Sequence, residues 1–108
     1  MNDGWTRVAR VDDVPESEDA TVVAVDGEPV ALFHVEGAFY AIDDRCPHEK
    51  AARLSDGYLD GMSIECPMHQ ACFDIRSGKV LSPPAKEDVG CYDVQVSDGQ
   101  ILLRKRSI

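Results

Sequence analysis

Short alternations of apolar and polar residues run along this chain and are separated by turn dipeptides. Period-two alternation bounded by Gly, Pro, Asp or Ser is typical of half-buried β-strands. The pattern predicts strands over residues 5–11, 20–25, 29–35, 38–42, 58–59, 62–65, 71–75, 79–81, 92–96 and 101–105. A helical apolar stripe of useful length is absent from the sequence, although residues 50–54 allow one turn of helix. The chain is therefore predicted to be all-β, an antiparallel sandwich or barrel.

The dipeptides between these strands predict how the strands connect. Asp26-Gly27 is a strong hairpin signal, because a tight two-residue turn needs positive φ angles that Gly and Asp tolerate, and Asp60-Gly61 is another hairpin candidate. Glu36-Gly37 turns the chain once more, so the strands over 20–25, 29–35 and 38–42 form a meander. Pro83-Pro84 lacks two backbone donors and cannot continue a ladder, which predicts a loop over residues 82–85.

Length and composition limit the kind of protein this is. The 108 residues contain no repeat, linker or low-complexity tract, so residues 1–108 are expected to form one domain. A net charge of −9 argues against nucleic acid or an anionic membrane as a partner. Neither an apolar run near 18 residues nor a secretory leader is visible, so we expect a cytoplasmic protein. Cysteines in that compartment are more often thiols or ligands than disulfides.

The negative charge is concentrated in the first part of the chain. Residues 1–42 hold nine acids against two arginines, a balance of −7. Such acids keep a small protein soluble, but they can also steer a basic partner towards it and raise the encounter rate. The sequence leaves both interpretations open.

Two short segments each bring together one thiol and one imidazole. The first is Cys46-Pro47-His48, and the second is Cys66-Pro67-Met68-His69, with residues 49–65 between them. Iron–sulfur clusters usually take four thiolates, but in Rieske centres two histidines replace two cysteines on one of the two irons. The paired segments therefore favour a [2Fe–2S] cluster bound by Cys46, His48, Cys66 and His69.

Four other interpretations of these segments compete with the cluster. The residues could be ordinary buried cysteines and surface histidines that share a spacing by chance. Two Cys and two His also form a common structural zinc set, although zinc fingers usually bring both cysteines from one end and both histidines from the other. A catalytic Cys–His pair would need an orienting group and a substrate cleft. A disulfide between Cys46 and Cys66 is the fourth interpretation.

Beyond these ligands, the sequence resembles the soluble Rieske ferredoxins of bacterial aromatic-ring-hydroxylating dioxygenase systems. The resemblance covers nearly the whole chain and is carried by residues 52–59, 65–70, 73–74, 77–78 and 82–84. Pro47-His48-Glu49 and Ala71-Cys72 depart from the commoner Thr-His-Gly and Gly-Arg of that family.

The resemblance implies a fold, a cofactor and a role. It implies a Rieske-type β sandwich or barrel with a small cluster-binding subdomain of two loops, at about residues 43–70, and a proline loop that shields the cluster. It implies one [2Fe–2S] cluster per chain, with the two cysteines on one iron and the two histidines on the other. The chain would then be no enzyme but a monomeric one-electron carrier. It would dock transiently with an NADH-dependent flavoprotein reductase and with a terminal oxygenase, through a face made by Pro47, Glu49, Met68, Gln70 and Pro83.

The ligand set and its surroundings also predict a reduction potential. Two ferric ions, two sulfides, two thiolates and two neutral imidazoles sum to zero charge, so adding an electron is easier than with four thiolates. High-potential respiratory Rieske proteins carry a second cysteine pair and two hydroxyl donors near the cluster. The matching positions here are Ala51 and Met68, and Ala71 and Phe73, which supply neither. We therefore expect a potential near the low end of the Rieske range of about −150 to +300 mV.

Two alternative functions remain at this stage. A chain of this kind also resembles the small subunit of assimilatory nitrite reductase, which would be bound permanently to a larger enzyme. A zinc-binding interaction module is the other alternative. His34, Cys72 and Cys91 fall outside the two segments, and we interpret them as structural residues.

Overall fold

The computed structural model describes residues 4–17, 19–46, 52–67, 71–82 and 88–106. Within these ranges the regular secondary structure is almost entirely β, with two 3₁₀ turns at Val11–Asp13 and Leu54–Asp56. The strands are β1 (Thr6–Arg10), β2 (Thr21–Val25), β3 (Glu28–Val35), β4 (Ala38–Asp43), β5 (Tyr58–Asp60), β6 (Ser63–Glu65), β7 (Cys72–Asp74), β8 (Cys91–Ser97) and β9 (Gln100–Lys105). The prediction of an all-β antiparallel fold is confirmed. The described part of the chain contains no helix with the length and apolarity needed to cross a membrane.

Six strands form one antiparallel sheet in the order β1-β9-β8-β4-β3-β2. The two edge strands β1 and β2 lie against each other, so the sheet curls into a nearly closed barrel. A shift of register between Arg7 and Ala9 interrupts the pairing of β1 with β9. Irregularities of this kind increase the twist of a strand and help a sheet to close.

Three hairpins of the barrel share one turn geometry. Asp26, Glu36 and Asp98 each have a φ of 52°, and the glycine after each has a φ between 75° and 81°. Positive φ at both central residues defines the type I′ turn, whose twist matches that of the flanking strands. The turns predicted at Asp26-Gly27 and Glu36-Gly37 are therefore observed, together with the meander β2-β3-β4, and Asp98-Gly99 joins β8 to β9 by a turn of the same type.

The remaining strands make a separate three-stranded sheet in the order β5-β6-β7. Its central register pairs Leu59 with Ile64 and Ile64 with Phe73, and these side chains point towards the core. This small sheet carries the second of the two cysteine-containing segments, because Cys66 follows β6 directly.

Two hydrophobic cores lie on opposite faces of the barrel sheet. Along β3 the residues alternate between them: Ala31 and Phe33 belong to the first core, and Val30 and Leu32 belong to the second. The first core also contains the buried residues of the small sheet, together with Cys46 and Cys66. The small sheet is therefore fixed to the barrel by the same core that holds the two cysteines.

Two details differ from the sequence-based expectation. The turn of helix expected over residues 50–54 is found instead at Leu54–Asp56, since Arg53 is extended (φ −111°, ψ 126°) and pairs with Arg45. Positions 50 and 51 lie outside the described residues. The strand expected over residues 79–81 is reduced to one bridge between Val80 and Phe73. The backbone N–H of Val80 donates to the carboxylate of Asp88 at 2.9 Å, which replaces a further ladder bond.

Candidate metal centre

The two cysteines predicted as ligands occupy equivalent local positions. The backbone N–H of Cys46 donates to the carbonyl oxygen of Ala52 at 3.2 Å, and that of Cys66 donates to the carbonyl oxygen of Ala71 at 2.7 Å. Each cysteine therefore closes the segment that follows it, residues 47–51 in the first loop and residues 67–70 in the second. Neither cysteine exposes surface to solvent.

The first loop leaves the barrel at the end of β4. Two residues before Cys46, the backbone N–H of Asp44 donates to the carbonyl oxygen of Pro29 in the neighbouring strand β3 at 3.1 Å. On the other side of the loop, the backbone N–H of Leu54 donates to the carbonyl oxygen of Asp44 at 2.6 Å. The loop base is therefore held both to the sheet and across its own opening. Nothing in the sequence separates Asp44 from its half-buried neighbour Asp43, so the sequence does not single out Asp44.

The second loop leaves the small sheet at β6 and returns in β7. Glu65 and Cys72 face each other in the register, so the loop spans the end of this hairpin. On its far side, the backbone N–H of Cys72 donates to the hydroxyl oxygen of Ser82 at 3.1 Å, and that of Leu81 donates to the Cys72 carbonyl oxygen at 2.7 Å. The start of the predicted proline loop is therefore tied to the second cysteine loop. Residues 83–87 themselves lie outside the described part of the chain.

The thiols of Cys46 and Cys66 share an apolar environment. Both belong to one buried core with Ala71 and Phe73, the two positions predicted to provide no hydroxyl group, and with Leu54. A core of this kind keeps water away and lowers the local dielectric constant. Two buried thiols at the mouths of two closed loops fit the thiolate half of the donor set that a Rieske cluster requires.

The other half of the predicted site is the pair of histidines. His48 and His69 lie outside the described residues, as do Pro47, Glu49, Met68, Gln70 and Pro83 of the predicted docking face. Among the residues that are described, no group of three or more His, Cys, Asp or Glu side chains is arranged to bind a metal. All four cysteines fall within the described ranges and none is in a disulfide, so the Cys46–Cys66 disulfide is not observed.

The remaining histidine and cysteines have surroundings that fit structural residues. The ring of His34 stacks on Phe39 with centroids 4.1 Å apart, and its Nδ1 lies 2.7 Å from the Val14 carbonyl oxygen. Cys91 is buried, and its burial raises the pKa of its thiol above the ordinary value. Cys72 is half-buried on the side of β7 that faces away from the core.

These observations define an all-β protein with two buried cysteines, each of which closes its own loop. Residues 4–93 match the family model of the Rieske [2Fe–2S] domain. The chain belongs to the Rieske [2Fe–2S] family, and its cofactor is a Rieske-type [2Fe–2S] cluster. The family resemblance and the cofactor predicted from the sequence are thereby confirmed.

Similar proteins indicate which kind of Rieske protein this chain most resembles. A Ralstonia protein described as the ferredoxin component of naphthalene 1,2-dioxygenase/salicylate 5-hydroxylase systems is 43% identical over 104 residues, which is 96% of this chain and 98% of the relative. The solved ferredoxin of carbazole 1,9a-dioxygenase from Nocardioides aromaticivorans superposes with a TM-score of 0.86 at 33% identity, covering 94% of this chain and 98% of that one. The chain is thus similar, over nearly its full length, to ferredoxins of dioxygenase systems.

Two further solved structures are similar to this chain, one from an oxygenase–ferredoxin complex and one from a nitrite reductase. A chain of the carbazole 1,9a-dioxygenase complex of reduced oxygenase and oxidised ferredoxin matches with a TM-score of 0.86, 32% identity and coverage of 97% and 98%. A putative NADH-dependent nitrite reductase small subunit from Mycobacterium tuberculosis also matches, with a TM-score of 0.81, 25% identity and 96% coverage of both chains. The dioxygenase ferredoxins are the more similar group in sequence.

Proposed function

We propose that this protein is a one-electron carrier of an aromatic-ring-hydroxylating system. It accepts electrons from an NADH-dependent flavoprotein reductase and passes them to the Rieske/non-haem iron terminal oxygenase. The proposal rests on one observation: this chain is similar over nearly its full length to dioxygenase ferredoxins. It also buries the two cysteines that close its loops, as the proposed role requires. The protein is an electron-transfer component and not itself an enzyme.

Within this proposal, Cys46 and Cys66 hold one iron, and His48 and His69 hold the other. The cluster supplies a one-electron redox couple when it is bound. The chain supplies the apolar shell around the thiols and the two loops that bring the four ligands together. Because the cysteines are buried, the imidazoles are the ligands left to carry the electron towards a partner. The residues beside them, Pro47, Glu49, Met68, Gln70 and Pro83, then form the docking face.

The partners of such a carrier bind briefly. A shuttle must release each partner quickly, and small contacts of low affinity are typical of redox encounters. The solved complex of an oxygenase with a similar ferredoxin supports the oxygenase as one partner. We also propose that a flavoprotein reductase is the second partner. The protein is further proposed to be a monomer in the cytoplasm.

Analysis of the purified protein tests the ligand assignment. We expect a red-brown protein with about two irons and two acid-labile sulfides per chain, and an electron paramagnetic resonance spectrum of Rieske type after reduction. His69→Cys should lose the cluster or lower its potential, and Cys46→Ser and Cys66→Ser should lose it. The matched controls are His34→Gln, Cys72→Ser and Cys91→Ser, which should retain it. Pale, iron-free protein after anaerobic reconstitution would refute the proposal, and would leave zinc as the metal to test.

The nitrite reductase small subunit is the second candidate, because one such structure shares the fold at 25% identity. A subunit of that kind would remain bound to a large enzyme, whereas a carrier is free in solution. Gel filtration of protein produced in its native cells separates the two. We expect elution at about the 11.9 kDa of one chain, and co-elution with a large enzyme would favour the alternative.

A further inference from the structure

A buried carboxylate lies at the base of the first cysteine loop. Asp44 is 1% exposed and is the one charged residue that is buried among those the structure describes. A carboxylate in such a position costs folding free energy unless hydrogen bonds and a counter-charge compensate for the lost water. The hydrogen-bond partners of the Asp44 carboxylate therefore indicate its role in the structure.

All of these partners belong to the loop base. Carboxylate oxygen Oδ1 accepts the backbone N–H of Ser55 at 2.8 Å, and Oδ2 accepts the Nε–H of Arg53 at 3.3 Å. The main chain of Asp44 adds the bonds to Pro29 and Leu54 described above. The residue thus joins β3 on one side of the loop to the 3₁₀ turn that ends it on the other.

The arrangement closes the loop twice. The inner closure is the Cys46–Ala52 main-chain bond, and the outer closure is made by Asp44 with residues 53–55. Cys46 forms the inner closure itself, two residues beyond the outer one, so its backbone is held by its own bond and by the locked loop base. The bond to Ser55 contributes more to this than the ion pair, because Arg53 is 55% exposed and solvent screens its charge. Hydrogen bonds from backbone N–H groups to a carboxylate are charge-assisted and strong.

We propose that Asp44 is a positioning residue for the cluster: its buried carboxylate locks the base of the first loop, so that Cys46 is held ready for its iron. This inference rests on the proposed function, because it assumes that Cys46 binds the cluster. It goes beyond that function by assigning a role to a residue outside the ligand set.

Cluster loss from the purified holoprotein tests the positioning role. With an iron chelator present, the decay of visible absorbance should be at least tenfold faster in Asp44→Ala than in the wild type. Asp44→Asn keeps an oxygen that can accept the Ser55 N–H but loses the charge, so its rate should lie between the two. Two controls should remain within twofold of the wild type. Asp43→Asn alters the neighbouring carboxylate, which bonds to Tyr92 and Lys105 instead, and Ser55→Ala keeps the N–H that Asp44 accepts.

The reduction potential separates this role from general loosening of the fold. Removing the charge in Asp44→Asn should raise the midpoint potential, whereas Arg53→Gln leaves the carboxylate without its cation and should lower it. The inference would be overturned if both Asp44 variants lost the cluster no faster than Asp43→Asn. It would also be overturned if the midpoint potential moved in the same direction in Asp44→Asn and Arg53→Gln. If Asp44→Ala does not fold, Asp44→Asn and Arg53→Gln decide. A wild-type protein without a cluster would instead refute the proposed function.

Discussion

At the scale of single residues, the neighbours of the two buried cysteines determine how readily an electron is accepted. Ala71 and Phe73 share their core with Cys46 and Cys66, and both are completely buried. Neither side chain has a hydroxyl group that could stabilise the reduced state by a hydrogen bond. Their position supports the low potential inferred from the sequence, which remains a prediction.

Adding the missing hydroxyl groups should raise that potential. One hydrogen bond contributes about 1 kcal/mol, and 1.4 kcal/mol corresponds to about 59 mV for a one-electron couple, so each hydroxyl should add about 40 mV. Ala71→Ser with Phe73→Tyr should therefore raise the midpoint potential by about 80 mV in a spectroelectrochemical titration. The control is Phe39→Tyr, which adds the same group against the second core and should leave the potential unchanged. An unchanged potential in the double variant would show that another cause sets it.

What the sequence revealed about single residues depended on their chemistry. Cysteine and histidine are the ligands that iron–sulfur clusters use, so a paired spacing of the two could be recognised in the sequence and the four ligands proposed from spacing and resemblance. Asp43 and Asp44 are identical in the sequence, and only the fold separates them. Asp43 ends β4 and meets Tyr92 and Lys105, whereas Asp44 lies under the loop and meets residues 53–55. Those partners are 9 to 11 residues away for Asp44 and 49 to 62 residues away for Asp43, and no local pattern encodes them.

At the scale of elements, the turn after β7 is organised by one carboxylate. Asp74 accepts the backbone N–H of Arg76 at 2.8 Å, and its two oxygens also take the guanidinium of Arg76 at 3.1 and 2.9 Å. The hydrogen bonds from Arg76 hold the pKa of Asp74 below its ordinary value of 3.8. The turn sets the path of the chain from the second cysteine loop towards residues 79–82.

This lowered pKa predicts how the stability contribution of the turn depends on pH. A carboxylate with a depressed folded-state pKa stabilises the fold above its unfolded pKa and loses that contribution as pH falls through the folded value. Asp74→Asn should therefore unfold at lower urea concentration than the wild type at pH 7, and the difference should shrink as pH falls below 3.8 and through the lowered folded-state pKa of Asp74. Asp60→Asn, an exposed position of the same small sheet, serves as the control and should show no such dependence. A difference that persists at low pH would mean that the charge of Asp74 is not its cause.

The same turn also requires a glycine. Gly78 has a φ of +78°, and its carbonyl oxygen accepts the Val89 backbone N–H at 2.8 Å. A Cβ at this position would overlap the carbonyl oxygen of Val89. The close backbone approach of Gly78 and Val89 holds together the two ends of the segment that contains the proline loop.

Substituting this glycine should be costly. Gly78→Ala combines a strained φ with a backbone overlap, so we expect it to lower the free energy of unfolding by about 3 kcal/mol or more. Gly61→Ala is the matched control, since Gly61 also has a positive φ of 62° but has open space around it. It should cost about 1–2 kcal/mol, the strain of a left-handed residue alone. Chemical denaturation of both variants provides the comparison, and equal losses would show that the Val89 contact does not matter.

The elements themselves were predictable, but their arrangement was not. Alternation and Asp-Gly turns located the strands of the meander to within one or two residues, because both signals are local. The order β1-β9-β8-β4 depends on contacts between residues up to about a hundred positions apart, such as Thr6 with Leu103. The strand expected over residues 79–81 was shortened by a side chain, Asp88, that no strand pattern takes into account.

At the scale of the whole molecule, the acidic charge should influence how fast partners are met. Most of the net charge of −9 comes from residues 1–42, a range that includes β1, β2, β3 and most of β4. Surface charges act over about 10 Å at 0.1 M salt, and a long-range attraction weakens as salt is added. If these acids steer a basic partner, electron transfer must be slower at high ionic strength.

Stopped-flow kinetics with the native reductase and oxygenase can measure this effect. We expect the second-order rate constant to fall about tenfold or more between 0.01 and 0.5 M salt with at least one of the two partners. Asp12→Asn with Asp13→Asn should weaken the salt dependence for that partner and leave the cluster potential unchanged. A rate constant independent of salt with both partners would assign the acids to solubility.

The main-chain closure of both cysteine loops has a consequence for how such carriers diversify. The closing bonds join backbone atoms of Cys46 to Ala52 and of Cys66 to Ala71, so they do not depend on which side chains lie between. Apart from the ligands, we expect that exchanging those intervening positions leaves the closures in place. A library that randomises positions 49–51 and 70 should yield carriers with redirected partner choice, and one barrel could then serve many oxygenases.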